Sequence, residues 1–286
     1  MNERDARAIL FNAIEGGHPF WSREIFSLGA VRCYEKILNG QYDPIKHEKL
    51  INRVLTTSSD QVQSAIEKVG ADFISPGDAM WPVNLDDLML PPIALIGKGE
   101  LAVLSQPSLA IVGTRNPTNY GARISGDFAA GFVDREWAIV SGGAYGIDSY
   151  AHKGALIAEG CTIAVIASGI DINYPASNAR LFSEMCESGA IITEVMPGQP
   201  ALPSRFLTRN RLIAALSQAT LVVEAAFRSG SLRTARDAAE LLRPVMAIPG
   251  PINSPTSEGC HRLIGERIAE LVTSVADAVD FIGANR

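Results

Sequence analysis

The chain has 286 residues, 47% hydrophobic and 20% charged, with a formal net charge of −6. That composition suits a globular protein with an aliphatic core and excludes collagen, coiled coil and disorder as the dominant class. No apolar run reaches the roughly 18 residues of a membrane span, and the mixed charges of MNERDARAIL do not make a secretory signal.

Residues 1–70 read as a small helical module. DARAILFNAI, SREIFSLGAVRCYEKILNG, HEKLINRVL and SDQVQSAIEKVG space their apolar positions at three and four. Ser59-Asp60 suits an N-cap, and Gly40 and Gly70 suit helix stops. No chemistry-bearing side chains cluster here, so the module reads as a partner-binding appendage or simple packing. From Ala71 the texture changes: ADFISPGDAMWPVNLDDLMLPPIALIGKGEL is rich in proline and glycine, with one strand candidate, IALIG, near residue 95. Phe73, Trp81 and Leu88 in it are worth burying, which argues for an irregular lead-in rather than a flexible linker.

From Ser108 onward, short apolar runs alternate with helical ones. The strand candidates are LAIVGT (109–114), AIVSGG (138–143), TIAVIAS (162–168), AIITEV (190–195), ATLVVEAA (219–226) and PVMAIPG (244–250), with a weaker AELVTS near residue 271. Continuously apolar strands separated by helices imply a doubly wound, mainly parallel α/β sheet covered on both faces. The four cysteines at 33, 161, 186 and 260 form no CxxC pair, so neither a zinc site nor a disulfide framework is indicated, and reduced thiols in a cytoplasmic protein are the plain reading. No metal or cofactor is called for.

In open parallel sheets ligands sit beyond the carboxyl ends of the strands. Small and polar residues recur there in step: Gly113-Thr114-Arg115 after the first strand, Ser141-Gly142-Gly143 after the second, Arg209-Asn210-Arg211 beyond the fourth and Ser229-Gly230-Ser231 beyond the fifth. Glycine turns leading into helices aim backbone N–H groups at an anion, and arginine adds a forked phosphate contact. Residues 205–243 hold seven arginines against three carboxylates, and arginine outnumbers lysine 19 to 6. GxGxxG after the first strand, GxxxxGK[ST], HExxH and GxSxG are all missing. His152 falls inside a helical stretch, where a packed or capping histidine is the simpler reading than a catalytic base.

Together the motifs GTR (113–115), SGGAYGIDSYAHKGAL, YPASN (174–178), RNRLIAALS (209–217), VVEAAFRSGSLRTA (222–235) and AIPGPINSPTSEGCHRLI (247–264) resemble the DNA-processing protein A family (DprA, also called Smf). The resemblance implies an extended Rossmann-like domain over 71–286, preceded by a module of the SAM or helix-hairpin-helix type over 1–70. It implies single-stranded DNA binding, a homodimer, and loading of the recombinase RecA during natural transformation. The carried-over DNA contacts are Gly113, Thr114, Arg115, Ser141, Gly142, Gly143, Phe206, Asn210 and Ser231. Arg205, Arg209, Arg211, Ser229 and Gly230 join them by position, with Phe206 as a face for base stacking.

Departures from the family pattern are Leu207-Thr208 following Phe206, where Phe-Pro before the RNR motif is usual, Arg205 in place of a lysine just before that Phe, and Leu242 where glycine is common. The winged-helix-like C-terminal domain of many members is not expected. Competing readings are a nucleotide phosphoribohydrolase, whose PGGxGT turn and glutamate are replaced here by Ser229-Gly230-Ser231-Leu232-Arg233-Thr234, and a nucleotide-sensing module without catalysis. For a dimer face, the helical stretch LRTARDAAELL and the sheet edge near residues 244–250 are both candidates.

Overall fold

The computed structural model describes residues 1–285. Five helices open the chain: α1 (Glu3–Ala13), α2 (Pro19–Leu28), α3 (Ala30–Leu38), α4 (Glu48–Thr56) and α5 (Ser59–Glu67). The run expected as one helical stretch from Ser22 to Gly40 is broken at Gly29, which ends α2 and starts α3. The cap of α5 is Ser58 rather than Ser59-Asp60. Its hydroxyl accepts from Gln61 N–H while the Gln61 side chain accepts from Ser58 N–H, a reciprocal capping box.

The α/β part follows as β1 (Asp72–Ile74), β2 (Leu95–Gly99), β3 (Ser108–Val112), α6 (Asn119–Val133), β4 (Ala138–Ser141), α7 (Ile147–Ile157) and β5 (Thr162–Val165). It continues with α8 (Ala179–Ser188), β6 (Ala190–Thr193), α9 (Pro203–Leu216), β7 (Ala219–Val222), α10 (Ser231–Glu240), β8 (Val245–Ala247), α11 (Glu258–Gly265), β9 (Glu270–Leu271) and α12 (Val275–Ala284). Among the described residues the strands form one sheet in the order β1-β2-β6-β5-β4-β3-β7-β8-β9. Only the β1–β2 and β2–β6 pairings are antiparallel. The three-residue β1 carried too short a pattern to be read from sequence. The strand near 244–250 is no sheet edge, because β9 pairs with β8 on its outer side.

Successive residues of a strand face opposite sides of the sheet, and here both sides are covered. Ala110 and Val112 of β3 pack with Leu212 and Leu216 of α9 and Leu232 of α10. Leu109 and Ile111 pack with Phe128 and Phe132 of α6 and Ile147 of α7. That double burial is why the strands read as unbroken apolar runs. The core of the five opening helices is continuous with the sheet: Ile9, Leu10 and Ile66 share a cluster with Ile96, Ile191 and Phe182. Phe11 and Phe73 meet edge to face with ring centroids 5.7 Å apart. No helix among the described residues is long and apolar enough to cross a membrane.

The connection from α10 to β8 turns through Leu242, which holds φ at +58° and is 93% exposed. A left-handed backbone costs a non-glycine residue about 1–2 kcal/mol, and this side chain buries almost nothing in return. Leu242→Gly is expected to raise the melting temperature by about 1–3 °C, the gain being trimmed by glycine's larger unfolded-state entropy. An unchanged or lower midpoint in a thermal melt would refute strain at this turn.

Candidate nucleic-acid interface

The chain runs outward from β3 through β4 and β5 to β6, then returns to lay β7 along the other side of β3. Connections leave β3 and β7 in opposite directions at such a reversal and open a crevice beyond their carboxyl ends. A cleft of 370 Å³ lies there. Gly113, Thr114 and Arg115 line it from the end of β3, Ser229, Gly230 and Ser231 from the start of α10, and Phe206, Arg209 and Asn210 from α9. Nine of the fourteen residues singled out from sequence therefore converge, while Ser141, Gly142, Gly143, Arg205 and Arg211 fall outside the lining.

Helical periodicity sorts the α9 residues. Positions 206, 209, 210 and 213 lie on one face at spacings of three and four and meet the cleft. Positions 205, 208 and 211 occupy a different face, turned to the loop between α1 and α2. Arg205 pairs with Glu15, with Nη2–Oε1 2.6 Å and Nε–Oε2 2.9 Å, and gives Nη1 to the Pro200 carbonyl. The Nη2 of Arg211 lies 2.6 Å from both carboxylate oxygens of Glu194. Gly16 packs so closely on Glu194 that a Cβ there would sit 2.8 Å from its carboxylate. Arg205 and Arg211 thus clamp the opening helices instead of facing the cleft, which corrects the expectation for both. Arg205 likewise does not replace the family's lysine as a free charge. The helix runs unbroken through Leu207-Thr208, and the Thr208 hydroxyl donates to the Ser204 carbonyl.

The Ser141-Gly142-Gly143 turn points inward. The Ser141 hydroxyl donates to Ile111 O at 2.7 Å, and Gly142 N–H donates to Asp148 Oδ2 at 3.1 Å. Arg209 Nη2 donates to Gly142 O at 2.9 Å, and its guanidinium lies where a Cβ on residue 142 would stand. Asn178 of the YPASN motif gives Nδ2 to Gly143 O at 3.0 Å and to Ser149 Oγ at 2.8 Å. The motif therefore fixes the turn from behind, and the Gly142 amide expected to meet an anion is already spent. Burial pushes the Asp148 carboxyl above the usual range, opposed by the Arg209 charge. Burial lowers the Arg209 guanidinium to about 10, so it stays protonated at neutral pH.

On the β7 side the polar groups bond to one another at the edge of the cleft. The two hydroxyls of Ser229 and Ser231 lie 2.7 Å apart, and Asn210 Nδ2 donates to Gly230 O at 3.2 Å. The Ser231 N–H at the start of α10 donates to Ser229 Oγ at 3.3 Å, and this helix N-terminus meets the cleft with the positive end of its dipole.

Of the seven arginines between 205 and 243, most are neutralised within the fold. Besides Arg205 and Arg211, Arg233 pairs with Asp237, Arg236 with Glu266 and Arg243 with Asp87. Arg209 is buried against Gly142. Only Arg228 of this set makes no hydrogen bond or ion pair among the described residues, and it lines the cleft. Arg115 is also without a carboxylate and lies over the Phe206 ring at 5.0 Å. Arg228 was passed over as an individual contact in the sequence, although its place just before Ser229-Gly230 was the available signal.

The chain matches the family model described as DNA recombination-mediator protein A over residues 72–283. It is 42% identical over 202 residues to the DNA processing protein DprA of Streptococcus pneumoniae, covering 71% of each chain. It is 45% identical over 232 residues to the protein Smf of Escherichia coli, covering 80% of this chain and 62% of that protein. The X-ray structure of the Streptococcus pneumoniae DprA superimposes with a TM-score of 0.83 at 32% identity over 98% of both chains. DNA processing protein A of Helicobacter pylori, whose structure is described for its single-stranded DNA binding mode, matches with a TM-score of 0.67 and 30% identity over 75% of this chain and 94% of that one. A doubly wound fold with its cleft at the strand reversal, and this span of matching sequence, place the chain in the DNA recombination-mediator protein A family.

Proposed function

We propose that the cleft holds single-stranded DNA and that the chain mediates recombination without breaking bonds, passing the strand to the recombinase RecA as a cytoplasmic homodimer. In this reading residues 71–286 carry the DNA and residues 1–70 are a module packed on α8 and the β2–β6 side of the sheet. The observation that carries it is the pair Arg115 and Arg228, cations left without carboxylates that line one cleft with the N-terminus of α10. Such a rim recognises phosphate and is indifferent to base identity, which is what a mediator on arbitrary strands requires. The DNA-processing relatives, and the single-stranded DNA binding named for the Helicobacter pylori protein, support it.

Against bond-breaking chemistry, the nearby carboxylates are spent as acceptors: Asp148 on Gly142 N–H, and Glu224 on the N–H and hydroxyl of Thr118. Asp148, the carboxylate that lines the cleft, is thereby committed to holding the turn rather than presented as the acid or base of a glycosidase-like step.

Arg115→Ala and Arg228→Ala are each expected to weaken binding of a labelled poly(dT) strand severalfold at low salt. Each should also flatten the log–log salt dependence by about 0.7, the increment for one lost phosphate contact on a single strand. Anisotropy titrations at several salt concentrations measure both. Unchanged slopes in folded variants would remove these arginines from the interface, and no binding by wild type would overturn the reading.

A further inference from the structure

All five aromatic residues of the α/β part that stand exposed lie past the carboxyl ends of the parallel strands. Tyr120 follows β3, Tyr145 and Tyr150 follow β4, Tyr174 follows β5 and Phe227 follows β7. Core packing requires none of them there. Among these, Tyr174 has a specific setting: it is 47% exposed, and its ring lies 5.4 Å from that of Phe206 at a tilt of 56°. Phe206 itself is half-buried, with Tyr174 against it and the Arg115 guanidinium over its ring. Two neighbours already occupy the residue expected to stack a base. The open aromatic surface belongs to Tyr174.

We propose that Tyr174 is a base-stacking residue of the DNA track, with Phe206 as the support that fixes it, so that a strand leaving the cleft past Arg115 lays a base on the tyrosine ring. The proposal rests on the cleft being the DNA site. The Arg115 guanidinium lies 5.0 Å from the Phe206 ring and the Tyr174 ring 5.4 Å from it, so cation and tyrosine are within about 10 Å of each other, in reach of neighbouring nucleotides of one strand. Stacking on an aromatic ring accepts any base, and this keeps the track indifferent to sequence.

The test compares poly(dT) with an abasic strand of equal phosphate number. Tyr174→Ala should weaken poly(dT) binding about fivefold or more while leaving abasic binding within twofold, and Tyr174→Phe should bind as wild type. Tyr174→Trp supplies a direct reporter, because Trp21 lies among the opening helices, Trp81 before β2 and Trp137 at the amino end of β4. Its fluorescence should be quenched by poly(dT) and not by the abasic strand. Equal losses on both strands, or no loss on poly(dT), would overturn the role of Tyr174 while leaving the cleft intact. Failure of wild type to bind either strand would overturn the cleft reading and the track together.

Discussion

Replacing Arg211 with methionine is expected to cost about 3–5 kcal/mol of stability, the penalty for leaving a buried charge without its partner. Glu194 is 6% exposed in its side chain, and both its oxygens depend on Arg211 Nη2. Burial already pushes its carboxyl above the ordinary range, with Arg211 pulling it back. Gly16 closes over the carboxylate from the opening helices, so water cannot enter to replace the lost cation without moving that loop. The double variant Arg211→Met/Glu194→Gln should recover most of the loss, because the residual amide is far cheaper to bury than a charge. Urea denaturation of the two variants decides it. A single variant within about 1 kcal/mol of wild type would show that the pair is solvated in solution. The folded fraction of Arg211→Met should bind poly(dT) as wild type does, since residue 211 faces away from the cleft.

The second large effect is an acid-side loss of stability through His152. The side chain is fully buried. Thr162 gives its hydroxyl proton to Ile139 O at 2.8 Å and so accepts from His152 Nδ1, 2.7 Å away. That arrangement makes the ring neutral with Nε2 as a lone-pair nitrogen, and Nε2 has no hydrogen-bond partner. Burial, reinforced by the positive charge of Arg209, lowers this histidine from 6.5 to about 3. The unfolded chain therefore binds one more proton than the folded one between those values. Stability from this group is complete above about pH 6.5 and falls by about 1.4 kcal/mol for each unit of acidification until pH reaches about 3. His152→Gln should be less stable at neutral pH and should lose that part of the slope between pH 6 and 4. Parallel stability curves for wild type and variant would rule out a neutral buried imidazole.

His152 also illustrates what sequence reading does well. A lone histidine on an apolar helical stretch is most simply a packed one, and it proves to be packed against Thr162. Strand positions were similarly legible, because a strand buried on both faces has no polar alternation to obscure it. The ends of elements were less so. Ser58 was missed as the cap of α5 since Ser58, Ser59 and Asp60 offer equivalent side chains, and only the reciprocal bond with Gln61 selects among them. For the cleft, residues adjacent to strand ends were readable because the parallel topology places those ends together.

By itself, the sequence determined the doubly wound class and the polar turns Gly113–Arg115 and Ser229–Ser231 at the strand ends, since local pattern suffices for each, whereas Phe206 and Asn210 are singled out as contacts only by the family resemblance. Only the tertiary structure decided which arginines are free. Charge counting sums the arginines of residues 205–243 into a basic segment, but Glu15, Glu194, Glu266 and Asp87, the partners of Arg205, Arg211, Arg236 and Arg243, come from outside that segment. An ion pair is set by distances of 3–4 Å in space, which separation along the chain does not encode. Arg228 and Arg115 are left facing the cleft because no carboxylate is folded against them, and that is a property of the assembled sheet rather than of any segment.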